Sequence, residues 1–158
     1  MNKNYLLPAR FKKLGWFLFI PSVILGFLTV LNDWEPSFLD IKVPALFIDE
    51  FIGENKLAEI VTNNVLNEIL GALVIVSGLI VAFSKEKEED EFIASIRLRS
   101  LVWATYFNYF VLLFAVLFIY ELSFAWVMIF NMFTILLFFI VRFNFSLLKL
   151  QKSGVNEE

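Results

Sequence analysis

The stretch SKEKEEDEFIASIRLRS, residues 84–100, decides how this chain is threaded. It sits between two of the most apolar segments of the sequence, and its first half, residues 85–91, is charged at every position. The charges are sorted, with Lys85 and Lys87 ahead of Glu88, Glu89, Asp90 and Glu91. Cations favour a helix C-terminus and anions an N-terminus. The order therefore predicts one helix ending near Lys87 and another beginning near Glu88. No Gly or Pro occurs from Leu79 to Ser153, so a tight helical hairpin is expected here rather than a long loop.

Working outward, four apolar segments approach the roughly 20 residues that cross about 30 Å of hydrocarbon. They are Leu14–Leu31, Val65–Phe83, Leu101–Tyr120 and Leu122–Val141. The chain of 158 residues is 59% hydrophobic and holds 20 phenylalanines, with a mean hydropathy of +0.76. A soluble domain has about 45–50% apolar residues, and so short a chain cannot hide the excess in one core. The expected fold class is an all-α membrane protein of four transmembrane helices, in one domain, with the lipid bilayer as its first partner. The first segment reads as a retained anchor, because its apolar run exceeds a signal peptide's and LTVLNDWEP has no small-residue cleavage site.

Orientation follows from Lys and Arg. Eleven fall on one side of the proposed spans: Lys3, Arg10, Lys12, Lys13, Lys85, Lys87, Arg97, Arg99, Arg142, Lys149 and Lys152. Lys42 and Lys56 alone fall on the other. Both termini are expected in the cytoplasm. Trp16 and Trp103 fall at inner boundaries and Trp34 and Trp126 at outer ones, the headgroup level that indole favours.

Phe92, Ile93, Ile96, Ser100 and Trp103 recur at helical spacing, with Arg97 and Arg99 off that stripe. A helix from Glu88 to Tyr120 would be about 50 Å long and would stand out of the bilayer. The residues Glu88, Glu89, Asp90, Glu91, Arg97 and Arg99 thus form either a solvated helix extension or a docking surface for a cytoplasmic partner. The turn YELSF, residues 120–124, is short, which makes the third and fourth spans antiparallel neighbours, with Ser123 as a candidate N-cap.

Residues 32–64 form an outer segment too small for a core of its own. Leu39, Ile41, Val43, Ala45 and Phe47 alternate with Asp40, Lys42 and Pro44, a strand pattern that Pro44 restricts to an edge or bulge. NKLAEIVTNNVLNEIL, residues 55–70, reads as helix leading into the second span. Phe38, Phe47, Ile48 and Phe51 should lie against the helices, the membrane surface or another subunit.

Function is sought at polar groups within the spans. Glu68, Ser77, Asn108, Asn131 and Thr134 are the candidates, with Asn108 and Thr134 placed to meet across the hairpin of spans three and four. Glu68 reads as a partner for Lys56, a cap for the second span or a headgroup-level carboxylate, with cation binding as the sharper alternative. Ser22 with Gly26, and Gly78 with Ala82, are small-xxx-small pairs that permit close backbone approach. Pro21 should loosen or kink the first span.

The sequence contains neither Cys nor His. That excludes disulfides, thiolate chemistry, imidazole metal ligation and the commonest general base. No nucleotide-binding glycine loop or metal motif is present, and the dispersed basic residues do not make a nucleic-acid surface. No cofactor, metal or catalytic residue is expected.

The residues SKEKEEDEFIASIRLRSLVWATYFNY, with NMFT and VRFNF further on, resemble a group of small bacterial integral membrane proteins without an assigned activity. The resemblance covers roughly residues 63–149. It implies four membrane helices and a Gram-negative inner membrane, and brings no substrate or cofactor. The reading that results is a non-enzymatic interaction subunit, scaffold or sensor component, as a homo-oligomer or with a membrane-protein partner; a small oligomeric transporter or channel is the alternative.

Overall fold

The computed structural model describes residues 6–48, 56–87 and 89–155. Four helices follow one another: α1 Arg10–Asn32, α2 Leu66–Phe83, α3 Glu91–Phe118 and α4 Glu121–Val155. Each is long and apolar enough to cross a membrane. At 18 residues α2 spans about 27 Å, close to the hydrocarbon thickness, whereas the 35 residues of α4 reach about 52 Å.

The chain divides into two units, residues 20–74 and residues 1–19 with 75–158. In the first unit, the chain leaves α1 through Asp33, whose φ of 46° is a left-handed value that Asp tolerates better than most residues. Trp34 N then donates to Thr29 O, closing the helix end. After a 3₁₀ turn at Ser37–Leu39, strand β1, Asp40–Ile48, pairs antiparallel with β2, Lys56–Asn64, in a register of Asp40 with Asn64 and Ile48 with Lys56. Residues 40–48 and 56–64 therefore pair as a β-hairpin, a two-stranded sheet that the all-α expectation did not include. Of the helix expected over residues 55–70, residues 56–64 are a strand and the helix begins only at Leu66. Ile60, Val61 and Thr62 are β-branched, Asn63 and Asn64 are weak helix formers, and β1 offers them a full ladder of partners. Pro44 sits within β1 as expected, in a sheet where both strands are edges. Phe38 is exposed, so the helices are not its cover; Phe51 lies outside the described residues.

In the second unit, α3 and α4 pack antiparallel across a link of only Ile119 and Tyr120. Phe107 stacks on Phe138 with ring centroids 4.3 Å apart, and Arg142 lies 4.8 Å over Trp103. Ser123 does not cap α4: the helix already begins at Glu121, which takes a left-handed φ of 59°.

The inward face of α3 reads Ile93, Arg97, Ser100, Ala104, Asn108, Val111 and Ala115, of which four are buried. The stripe read from the sequence is divided by this packing: Phe92 and Trp103 are exposed, Ser100 is buried, and Arg97, off the stripe, is inside. Small side chains let helices approach, and large apolar ones are free to face outward when the outside is lipid. Gly78 and Ala82 follow the same logic. A Cβ on Gly78 would come within 2.5 Å of Leu136. Gly15 is as tightly placed, with Ile80 and Val81 at 2.9 Å.

Candidate functional site

The connection between α2 and α3 is where the charged residues converge. α2 stops at Phe83, short of the expected Lys87, and α3 starts at Glu91 rather than Glu88. The described residues between them, 84–87 and 89–90, are not helical. Two observations explain the early stop. Ser84 is fully buried and turns its hydroxyl back on Ile80 O at 2.5 Å. Leu7 then captures the backbone as a parallel bridge partner: Leu7 N donates to Phe83 O and Lys85 N to Leu7 O, each at 2.9 Å. At the far end Asp90 is the N-cap of α3, its carboxylate accepting from Ile93 N at 2.7 Å.

Arg97 ties the connection to the helices. It is 8% exposed, and its Nη2 donates to Glu89 Oε2 at 3.0 Å and to Ser84 O at 3.3 Å. Glu89 Oε2 also accepts from Glu86 N at 2.8 Å. The guanidinium lies 5.0 Å from the Phe143 ring centroid. Phe143 belongs to a stack that continues through Phe139 to Phe83. Lys12 of α1 reaches the same ring, at 5.8 Å, and forms an ion pair with Glu86. Nε and Nη1 of Arg97 and Oε1 of Glu89 are buried without a hydrogen-bond partner, so the pair holds the loop at a real desolvation cost.

This geometry corrects the expected docking surface. Glu89 and Arg97 point inward, and Asp90 is spent on a cap; Glu91 and Arg99 remain exposed. Glu88 lies outside the described residues.

Beside the connection lies a cleft of about 570 Å³ lined by Ala9, Lys12, Lys13, Trp16, Lys85, Glu86, Lys87, Ile93, Leu147 and Leu150. Lys12, Lys13 and Trp16 come from the first two turns of α1, and Leu147 and Leu150 from the end of α4. The lysines were legible only as orientation signals, because their convergence brings together α1 and the α2–α3 connection, more than 70 residues apart.

The polar residues of the apolar helices make few contacts with one another. Asn131 Nδ2 donates to Asn108 O at 3.4 Å, so the cross-hairpin contact of Asn108 is with Asn131 and not with Thr134. Thr134 Oγ1 donates to Phe130 O in its own helix. The side-chain oxygen of Asn108 is buried without a partner. Ser77 is buried. Glu68 is exposed and accepts from Asn63 Nδ2 at 2.6 Å, which joins the first turn of α2 to the end of β2.

Compared with protein-family models, curated proteins and solved structures, the chain matches none.

Proposed function

We propose that this chain is a multi-pass protein of the bacterial inner membrane, with both termini cytoplasmic, that works without catalysis as an interaction subunit, scaffold or sensor component. The observation that carries this reading is the fixed charged connection. Seven consecutive charged residues between two apolar helices would ordinarily form a solvated turn. Here the backbone is pinned by Leu7, by the buried Ser84 and by the Arg97–Glu89 pair. A buried ion pair is a poor source of stability but a good device for imposing one conformation. Its use at the charged end of the bundle supports a surface held ready for a partner.

The polar residues of the spans favour this reading over transport. Asn131 and Thr134 bond to neighbouring backbone carbonyls, which is packing chemistry. The test is blue-native electrophoresis of a mild-detergent extract, with crosslinking mass spectrometry in native membranes. A particle well above 18.4 kDa plus detergent is expected, with crosslinks from Lys85 or Lys87 to a second copy or another protein. A strictly monomeric, partner-free species would overturn the reading.

A further inference from the structure

We infer that the cleft beside the charged connection binds the phosphate headgroup of an anionic phospholipid, with its acyl chains leaving along Leu147 and Leu150. The inference goes beyond the proposed interaction role and rests only on the membrane reading of the four helices.

Four observations meet at this place. The first is charge. Lys12, Lys13, Lys85 and Lys87 line the cleft, against one carboxylate among the described lining residues, Glu86. Glu86 is already neutralised by Lys12, and Lys13, Lys85 and Lys87 have no ion-pair partner among the described residues. The second is the wall behind them. Ile93 of α3 and Leu147 of α4 set apolar side chains beside the lysines, with Trp16 on the side of α1. Cationic groups set in a low-dielectric wall focus a positive field into the cleft.

The third is amphipathy. The same cleft carries Trp16, Ile93, Leu147 and Leu150. A small hydrophilic anion has no use for such a surface, whereas a phospholipid presents a phosphate and a hydrocarbon chain in that order. Trp16 supplies the indole that belongs at headgroup depth. The fourth is preorganisation. Lys85 and Lys87 project from a backbone that Leu7, Ser84 and Glu89 hold in place, so binding does not have to order a loose turn.

The full chain is purified in neutral detergent and titrated with phosphatidylglycerol or phosphatidylcholine, with bound lipid counted by native mass spectrometry. Phosphatidylglycerol should be retained over phosphatidylcholine by about tenfold or more, since each lysine facing an anionic surface is worth about fivefold in binding. The triple variant Lys13→Gln, Lys85→Gln, Lys87→Gln leaves the Lys12–Glu86 pair intact and should abolish that preference. Lys42→Gln, on the β-hairpin, should keep it. Excess inorganic phosphate should leave the lipid bound; displacement at millimolar phosphate would mean a free-phosphate site and overturn the inference.

A photoactivatable phosphatidylglycerol applied to the wild-type chain gives a readout independent of the variants' folding. Adducts are expected on peptides containing Trp16 and Leu147, and labelling confined to the exposed α3 face around Phe110 and Phe114 would overturn the site. Equal retention of both lipids by a chain that resists carbonate extraction would sink this inference alone. Release of the chain by carbonate would sink the membrane reading with it.

Discussion

The Arg97–Glu89 pair makes a quantitative prediction. Both side chains are about one-tenth exposed, so their interaction is little screened by solvent. Arg97→Met keeps an unbranched stem against Phe143 and removes the charge. It leaves Glu89 inside with only Glu86 N as a donor. Truncating one partner of a buried ion pair costs about 3–5 kcal/mol. The lower end applies here, because two nitrogens of Arg97 already lack partners and their desolvation cost disappears with the side chain. Glu89→Leu should cost at least as much, since it leaves a buried guanidinium with only Ser84 O as an acceptor.

The double variant removes both charges and should return to within about 1 kcal/mol of wild type, as apolar replacement of a buried pair commonly does. The coupling is thus several kcal/mol and opposite in sign to the single costs. Reversible unfolding in mixed micelles, followed by tryptophan fluorescence, measures all four corners of the cycle. Arg99→Ala, on the exposed side of α3, should leave the unfolding curve where it is. Additive costs in the double variant would refute the reasoning, because the two groups would then not be each other's partners.

Two further measurements follow from the packing. In a glycine series, Gly15→Ala should be the most harmful, costing about 1–3 kcal/mol, because the added Cβ would meet Val81 N at 3.2 Å as well as two side chains at 2.9 Å. Gly78→Ala should cost less, since the atom it meets first is the end of the Leu136 side chain. Gly26→Ala, with nothing nearer than Leu70 Cβ at 4.0 Å, should gain up to about 1 kcal/mol of helix propensity. Thermal unfolding midpoints in one detergent rank the three, and any other order counts against the packing. Asn108→Leu should be neutral or stabilising by up to about 1 kcal/mol, because it removes a buried oxygen without a partner. Asn131→Leu should cost only about 0.6 kcal/mol, the usual worth of an interhelical hydrogen bond in a membrane protein. A large loss of stability for Asn108→Leu in the same assay would show that its side chain has a partner after all.

The four helices were legible in the sequence because hydropathy and length are local quantities. A run such as LNEILGALVIVSGLIVAF needs no distant residue to become helical where water is absent. The short link that makes α3 and α4 neighbours is local in the same sense, and so is the strand pattern before Pro44. Residues 56–64 were misread because their choice was not local. Taken alone, KLAEIVTNN is close to neutral between helix and strand, and β1, an earlier segment of the chain, decides it.

The inward face of α3 was not legible for another reason. The rule that apolar periodicity marks the buried side assumes water outside. In a bilayer Trp103 would lose nothing by facing out, and the helices close on Ser100, Ala104 and Ala115 instead. Arg97 completes the contrast. Its sequence marks it as a surface charge near a membrane boundary, yet the fold buries it against Glu89 and Phe143. Sequence by itself determined which segments coil and which charges lie between them. Tertiary structure alone decided where those charges point, because an arginine's cost of leaving water depends on partners that only packing can bring within 3.0 Å.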